Sequence, residues 1–502
     1  MGSKVFYRFI NAGDIYSEKV IMEKGDFSLK AKVLKGAAWL SIGTFLGQSI
    51  SWISTIIVIR LLLPEDYGLM AMANIFISFL VLMSEIGISA AIIQSEQITE
   101  NELKKIFGLV IIASSIFFLL SYFISPAVAL FFNEERLTSI IRFLSLNFIL
   151  MAMYIVPQSL FIREMDFQSK AKVDIFSQVG TSLLTLILAL KGMGIWALVM
   201  GTIAMHMIRT IGFNISRPYL IKPVFQYKGV ENFMKYGVTV TGDRLLYYLH
   251  TESDKIIVGK FFGNSLLGIY AVALNLSSMI MEKILPIITQ ISFTAYSRIQ
   301  NDTDRINRNI LKASHAVAFL GFPLFFSMAG AAPEAIPLIL GLKWKTIIVP
   351  FQLFCFIMPL KALSPLLAPA IFAIGKPKIN LVNMGITFIF MSFALLIGAM
   401  AGLLGVCVAW VLVYPLVFLI TTKRSLIALN IPFRVYIAEI KFPFFASALM
   451  LIIMYFLKNL VMIGFQPLFS LIMIMLFFVI FWTIVILFKR EEYSKIRDLL
   501  QK

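Results

Sequence analysis

The chain is poor in charged residues and in cysteine. Asp, Glu, Lys and Arg make up 14% of its 502 residues, whereas 59% are hydrophobic and the mean hydropathy is +0.89. A soluble domain does not bury so large an apolar share, so the composition excludes a large soluble protein. Cys355 and Cys407 lie in apolar runs, without a CxxC pair or a histidine nearby. We therefore expect two small buried thiols, with neither a disulfide framework nor a metal site.

Two functional signatures are also missing. No GxxxxGK[ST] stretch occurs, so we do not expect the chain to use ATP. The first 37 residues are polar and of mixed charge, without the apolar core of a cleavable signal peptide, and we expect them to stay in the cytoplasm. In a membrane protein, the net charge of +17 indicates cytoplasmic loops rather than a nucleic-acid-binding surface.

Long apolar runs, by contrast, are abundant. A membrane helix needs about 20 predominantly apolar residues. Fourteen runs of roughly this kind are bounded by charges or turn residues, so the sequence predicts an all-α protein that crosses a membrane about fourteen times. The predicted spans are residues 38–59, 69–91, 106–130, 139–160, 173–190, 192–208, 237–258, 267–290, 313–332, 347–372, 380–400, 403–420, 442–457 and 466–488.

The placement of Lys and Arg predicts the orientation. If the N-terminus is inside, only seven of the 44 Lys and Arg residues fall in outside loops. Because cytoplasmic loops carry the excess of cations, both termini are predicted to be cytoplasmic. The seven outer residues are Arg60, Arg136, Lys191, Lys260, Lys343, Lys345 and Lys458.

An internal repeat links two of the outer turns. Shifted by 200 residues, IIVIRLLLPEDYGLMAMA (56–73) aligns with IIVGKFFGNSLLGIYAVA (256–273), and Gly68 matches Gly268. Apolar sequences match easily by chance, but here each hairpin aligns with a hairpin of the same predicted direction. The repeat predicts two parallel six-span lobes, an architecture of transporters. The predicted divisions are an N-terminal segment (1–37), a first lobe (38–213), a linker (214–236), a second lobe (237–422), two further spans (442–488) and a tail (489–502).

Five stretches, in order over about residues 30–425, resemble the polysaccharide transporter family of bacterial Wzx-type flippases. That family lies within the larger group of multidrug (MATE) antiporters and lipid II flippases, and the likeness is greatest to its colanic acid and teichuronic acid exporters. The stretches are RLLLPEDYGLMAMA, EIGISAAIIQSEQITENELKKIFG (85–108), PQSLFIREMDF (157–167), GMGIWALV (192–199) and DKIIVGKFFGNSLLGIYAVA (254–273).

The resemblance implies a function and its setting. A member of this family moves an undecaprenyl-diphosphate-linked oligosaccharide across the bacterial inner membrane, from the cytoplasmic to the outer leaflet. The resemblance also implies two lobes in a V that alternate access, driven by a cation gradient or the membrane potential. We expect no cofactor besides the H⁺ or Na⁺ of such a gradient. A polysaccharide polymerase and a chain-length regulator are implied partners, besides membrane lipids.

Span 7 is unusually polar for a membrane helix. Charges inside a bilayer are expensive, so this helix is expected to face water, substrate or partner helices. Arg244, Tyr248, Thr251 and Lys255 fall on one helical face. Two cations and two hydroxyls suit a diphosphate and sugar hydroxyls. The alternative is structural ion pairing, which we expect to involve other spans, and for the deep Lys361 in span 10 a cavity and a carboxylate partner are both open.

Ion coupling needs a group that binds H⁺ or Na⁺ on one side and releases it on the other. Four candidates are Asp254, Asp243, Glu85 and His250. Asp254 is favoured because it lies within a membrane helix in the family-like DKIIVG motif. Arg142, near the outer end of span 4, is expected to extend its charge to the membrane interface.

Two other functions remain open at this stage. A MATE-type multidrug antiporter is one, although cations along the path disfavour the cationic substrates that such proteins often carry. A membrane enzyme, such as an oligosaccharide polymerase or glycosyltransferase, is the other. It is disfavoured because the loops are short and hold no clustered acid/base residues.

Overall fold

A computed structural model describes residues 47–84, 92, 98–217, 222–225, 231–461 and 466–488, with the backbone alone at 231–247, 250, 461 and 488. Within these ranges all regular secondary structure is helical. The helices are α1 (Gly47–Leu61), α2 (Pro64–Ser84), α3 (Glu100–Phe132), α4 (Arg136–Leu144), α5 (Leu146–Arg163), α6 (Phe167–Leu190), α7 (Ile195–Ser216), α8 (Glu231–Arg298), α9 (Thr303–Ile339), α10 (Ile348–Leu363), α11 (Ala368–Ala373), α12 (Pro377–Ala399), α13 (Gly402–Ala428), α14 (Phe433–Val461) and α15 (Pro467–Phe488).

The described chain is a multi-pass membrane protein. Twelve of its helical segments are long and apolar enough to cross a membrane, and α1 is a shorter apolar helix. Large apolar side chains are exposed along α3, α12, α13, α14 and α15, as helices that face lipid require. The all-α membrane fold predicted from the sequence is confirmed, while the count of fourteen spans and the cytoplasmic termini stay predictions.

The longest helix, α8, contains a tight reversal at Gly263. The backbone there adopts φ 76° and ψ −174°, which glycine tolerates and other residues rarely adopt. Tyr270 Oη lies 2.8 Å from Asp254 Oδ2, although sixteen residues of straight helix would separate them by about 24 Å. α8 is therefore a helical hairpin, with a first arm (231–262) that matches predicted span 7 and a second arm (264–298) that contains span 8.

Helix boundaries follow local capping as well as hydropathy. Thr99 and Glu102 form a reciprocal capping box at the start of α3. Asp166 accepts a hydrogen bond from the Ser169 amide at the start of α6, and this lowers the pKa of its carboxyl. At the start of α9, the Asp302 side chain likewise accepts a hydrogen bond from the Arg305 amide. These caps lie outside the apolar runs, so the helices extend further than the predicted spans.

The main core lies around the α8 hairpin. Buried side chains of α2, α8, α9, α10 and α13 form one cluster, and smaller clusters join α3 with α5 and α5 with α6 and α7. Both cysteines are free and buried, as predicted. The second half of the described chain is thus packed more continuously than the first half.

Candidate functional site

The predicted site residues lie mostly on the first arm of α8. The backbone of Asp243, Arg244 and His250 is helical there, but their side chains are outside the description, and Glu85 is outside the described residues altogether. Their proposed roles stay predictions. The structure describes the side chains of the other five candidates: Tyr248, Thr251, Asp254, Lys255 and Lys361.

Asp254 is a buried carboxylate with neutral hydrogen-bond donors. Its side chain is 2% exposed, Oδ2 accepts the Tyr270 hydroxyl at 2.8 Å, and Oδ1 accepts the Lys255 amide at 2.7 Å. Among the described residues, no Lys, Arg or His approaches it within 4.0 Å. A buried carboxylate without a cationic partner is costly, so it favours a bound cation or proton.

A chain of side chains extends from Asp254 to a buried cation. The Tyr270 hydroxyl that donates to Asp254 accepts from Trp410 Nε1 at 2.9 Å. On the same indole, the Lys361 ammonium lies 4.1 Å from the ring centroid. In the described part of the chain Lys361 has no carboxylate within ion-pair distance, and its cation–π contact compensates part of its charge. Four helical segments, including both arms of α8, therefore converge on one polar cluster.

The remainder of the predicted stripe is engaged within the protein. The Tyr248 hydroxyl donates to the Ile75 carbonyl of α2, and Thr251 Oγ1 donates to the Tyr248 carbonyl at 3.1 Å. Lys255 Nζ lies 2.9 and 2.8 Å from the two oxygens of Glu252. The expectation that any ion pair of Lys255 would involve another span is wrong, because residues three apart on a helix face each other.

The turns of the two repeated hairpins meet face to face. A Cβ atom added at Gly68 would overlap the carbonyl oxygen of Asn264, and one added at Gly268 would overlap that of Pro64. Asn264 and Pro64 are themselves related by the 200-residue repeat. The contact is therefore reciprocal, as at an interface with two-fold symmetry. It also confirms that both hairpins point to the same face, and we call it the glycine seam.

Two cations related by the repeat extend this contact. Arg60 Nη1 lies 3.2 and 3.4 Å from the carbonyls of Leu338 and Ile339, at the C-terminus of α9. Lys260 Nζ lies 2.6 Å from the carbonyl of Phe131, at the C-terminus of α3. A cation at a helix C-terminus is stabilised by the exposed carbonyls and the helix dipole. Each half of the chain thus caps a helix of the other.

Further contacts close the same face. Trp344, fully buried, donates from Nε1 to the Ile59 carbonyl at 2.8 Å, and Lys343 Nζ donates to the Leu61 carbonyl at 2.8 Å. Asn264 Nδ2 donates to Glu134 at 2.9 Å. The hydrogen bond from Arg136 lowers the pKa of the Glu134 carboxyl, so this acceptor stays charged at neutral pH. This face, predicted to be the outer one, is closed.

Sequence reasoning missed several of these residues. Tyr270 and Gly268 lie in the repeat, and the alignment paired Gly268 with Gly68 but did not indicate that the two turns pack against each other. Trp410, in an apolar run, and Trp344, between Lys343 and Lys345, lie far along the chain from their partners and carry no local signal of these contacts. Only the tertiary structure brings them to the site.

Comparisons with known proteins agree with this architecture. The profile of a family described as "Polysaccharide biosynthesis protein" matches residues 57–349. The lipopolysaccharide biosynthesis protein WzxC of Escherichia coli (strain K12) is 26% identical over 444 residues, 85% of this chain and 88% of that protein. The teichuronic acid biosynthesis protein TuaB of Bacillus subtilis (strain 168) is 24% identical over 327 residues, 63% of this chain and 66% of that protein.

Solved structures show the same fold at low sequence identity. Lipid II flippase MurJ in an inward closed conformation has a TM-score of 0.69 and 16% identity, with 90% of this chain and 99% of MurJ covered. An inward-facing multidrug resistance MATE transporter of the MOP superfamily has a TM-score of 0.58 and 13% identity, with 76% of this chain and 94% of that transporter covered. Both likenesses establish the fold alone.

Proposed function

Because the chain belongs to the polysaccharide biosynthesis protein family, we propose that it moves undecaprenyl-diphosphate-linked oligosaccharide repeat units across the bacterial inner membrane. The units pass from the cytoplasmic leaflet to the outer leaflet, for surface polysaccharide synthesis. The names of its relatives support this proposal, since WzxC and TuaB are named for polysaccharide synthesis and ExoT of Rhizobium meliloti (strain 1021), 23% identical, is named a succinoglycan transport protein.

The reciprocal closure at the glycine seam carries the mechanistic part of the proposal. The glycines and helix ends at this face meet through main-chain atoms, whereas deeper in the molecule buried side chains of α2 pack against α8 in the main core. Opening of this face therefore requires the first turns of α2 and of the second arm of α8 to move apart. In this proposal the closed face is the outer gate of an alternating-access cycle.

Cation binding at Asp254 is the proposed coupling step. Asp254 and Tyr270 lie on opposite arms of the α8 hairpin, and Trp410 belongs to α13. A proton or Na⁺ at Asp254 changes the charge at the point where these helices meet, and so biases their packing. Lys361 supplies the positive end of this cluster. Arg244 and Lys255 are the proposed diphosphate contacts, with Lys255 exchanging Glu252 for phosphate when substrate arrives.

The MATE-type antiporter is the second candidate. The fold it shares with this chain favours it, whereas the cations Lys255 and Lys361 near the proposed path disfavour a cationic drug. A polysaccharide polymerase and a chain-length regulator are the proposed protein partners, because they act on the same lipid-linked unit.

Lipid-linked glycans in the parent strain and in a strain lacking this protein test the function directly. We expect mass spectrometry to show that a complete, unpolymerised undecaprenyl-diphosphate repeat unit accumulates in the deletion strain. Restoring the wild-type gene should remove the accumulation. An unchanged pool with normal surface polysaccharide would refute the flippase proposal and place the antiporter first.

A further inference from the structure

The short helix α4 is the amphipathic beginning of the candidate membrane segment Arg136–Arg163. Its sequence, RLTSIIRFL, buries Leu137, Ile140, Ile141 and Leu144 on one side and presents Arg136, Ser139 and Phe143 on the other. Nine residues extend only about 14 Å, less than half of the hydrocarbon thickness. Its apolar side packs into the main protein core, and with α5 it forms one segment long enough to cross a membrane, so α4 is one end of that span.

A cleft of about 460 Å³ opens beside this helix. It is formed by α3, α4, α5 and the start of α7, all in the first half of the chain, and is separate from the glycine seam. Its walls combine the aromatic side chains of Tyr122, Phe143 and Trp196 with Thr138 and Arg142. Tyr and Trp are enriched at the level of lipid headgroups, which places the cleft at that depth.

Arg142 is the functional group of the cleft. Its guanidinium carbon lies 4.6 Å from the centroid of the Tyr122 ring, and Nε donates to the Tyr122 carbonyl at 3.4 Å. Among the described residues no carboxylate forms an ion pair with it, whereas Arg136 on the same helix is paired with Glu134 at 2.8 Å. Stacking fixes the plane of the guanidinium and leaves its terminal N–H groups for a ligand.

A lipid phosphate fits these groups. A guanidinium binds phosphate oxygens through two parallel hydrogen bonds, and Thr138 lies one turn before Arg142 on the same face. Leu119 and Phe123, which neighbour Tyr122 on α3, are exposed and provide an apolar surface for acyl chains. The cleft is lined by one cation, Arg142, and by the carboxylate of Glu135. This balance of charges suits the single negative charge of a phosphodiester better than the larger negative charge of a diphosphate.

We propose that the cleft between α3, α4, α5 and α7 binds the phosphodiester headgroup of an anionic phospholipid through Arg142. The lipid anchors α4 at the membrane interface beside the loop that carries Glu134. The bound lipid thereby holds the first lobe at a fixed depth while the glycine seam opens and closes.

Native mass spectrometry of the purified full chain tests this proposal. The probes are phosphatidylglycerol, phosphatidylcholine with the same acyl chains, and soluble glycerol 1-phosphate. We expect the wild-type protein to retain phosphatidylglycerol in preference to phosphatidylcholine. Arg142→Gln should weaken this retention roughly tenfold, because it removes a hydrogen bond between charged groups. Arg142→Lys, which keeps the charge but loses the planar fork, should lie between them.

Arg136→Gln is the matched control, because it removes a cation from the same helix outside the cleft. Equal retention by Arg142→Gln and wild type would overturn the proposal, as would an equal loss in Arg136→Gln. Displacement of the lipid by equimolar glycerol 1-phosphate would assign the cleft to soluble phosphate instead. Displacement by an equimolar polyprenyl diphosphate would assign it to the transported substrate. Each experiment measures lipid binding and not transport, so a negative result leaves the proposed flippase activity unaffected.

Discussion

Asp254 is the residue on which the energetics of the second lobe depend most. Its carboxylate is buried among apolar helices, and its partners in the described chain are a hydroxyl and an amide. A structural carboxylate is normally paired with a cation when buried this deeply. The unpaired arrangement is what a reversible ion site requires, since a permanent counter-charge would compete with the transported ion.

Replacement of Asp254 by asparagine tests this role. The asparagine side chain would keep the shape of the aspartate and an acceptor for Tyr270, but it cannot bind H⁺ or Na⁺ by charge. We expect Asp254→Asn to lower the amount of surface polysaccharide at least about fivefold. This factor is the lower end of the range by which two coupled sites usually affect each other. The measurement is surface polysaccharide together with protein abundance in the membrane.

Glu282→Gln is the control for charge removal, because Glu282 is exposed on the second arm of α8 and accepts a hydrogen bond from Ser278. It should export normally. Normal export by Asp254→Asn at equal abundance would exclude Asp254 from coupling.

At the scale of elements, the α1–α2 turn and the α8 hairpin act as a matched pair. Gly68 and Gly268 bring the backbones of α2 and of the second arm of α8 together at their first turns. Any Cβ atom at either position meets backbone rather than a movable side chain. The closed face therefore depends on glycine at both positions.

Valine at either glycine should hold the seam open. Overpacking of this kind costs about 1–3 kcal/mol, which shifts a two-state equilibrium roughly five- to 150-fold toward the open form. We expect Gly68→Val and Gly268→Val to increase labelling of Leu267→Cys by a membrane-impermeant maleimide, because Leu267 is fully buried in the closed state.

Gly385→Val is the control, since an added Cβ there has no neighbour within 4 Å. Its labelling should equal that of the parent. If the seam variants label no faster than Gly385→Val, the contact does not gate this face.

The local elements also show where sequence reasoning succeeds and where it stops. Hydropathy located the spans, and the repeat identified the two hairpins and their common direction. Span 4 was predicted as one crossing, and Arg136–Arg163 is one segment long enough to span, although the helix hydrogen bonding changes at Ser145 between α4 and α5. The segment that contains span 10 holds a 3₁₀ turn from Ser364 to Leu366, which hydropathy did not indicate.

The candidate site was less predictable than the fold. Composition and motif position indicated Asp254 and Lys361, because charges in apolar runs stand out. Their connection through Tyr270 and Trp410 joins residues up to 140 positions apart, and periodicity carries no information about such contacts. Lys255 was placed correctly on the helix, yet its pairing with Glu252 depends on side-chain conformation.

Considered as a whole molecule, the two halves exchange helix caps. Arg60 of the first half caps α9, and Lys260 of the second half caps α3. The two contacts involve different pairs of helices and share no partner, so their effects on closure are expected to add.

Loss of both caps should open the outer face more than loss of either one. A cation at a helix C-terminus contributes about 0.3–1 kcal/mol. We therefore expect Arg60→Gln and Lys260→Gln each to shift the closed-to-open ratio about two- to fivefold, and the double variant to shift it by about the product. Spin labels at the exposed Lys191 and Lys345 report the separation by pulsed electron paramagnetic resonance.

Lys376→Gln is the matched control, because Lys376 Nζ contacts the Ala428 carbonyl at the end of α13 within one lobe. It should leave the distance distribution unchanged. Two results would contradict additive closure between the lobes. One is a double variant that opens no more than the more open of the two single variants, and the other is a Lys376→Gln control that opens as much as they do.

The closure has an evolutionary consequence. The acceptors for Arg60, Lys260, Lys343 and Trp344, like the oxygens against Gly68 and Gly268, are main-chain carbonyls. Substitution changes side chains and leaves main-chain oxygens in place, so only one partner in each contact is exposed to mutation. Compensating pairs of changes are not needed to preserve it. The two lobes are thus free to diverge from each other, and from relatives such as WzxC at 26% identity, while the way they meet is inherited through the backbone.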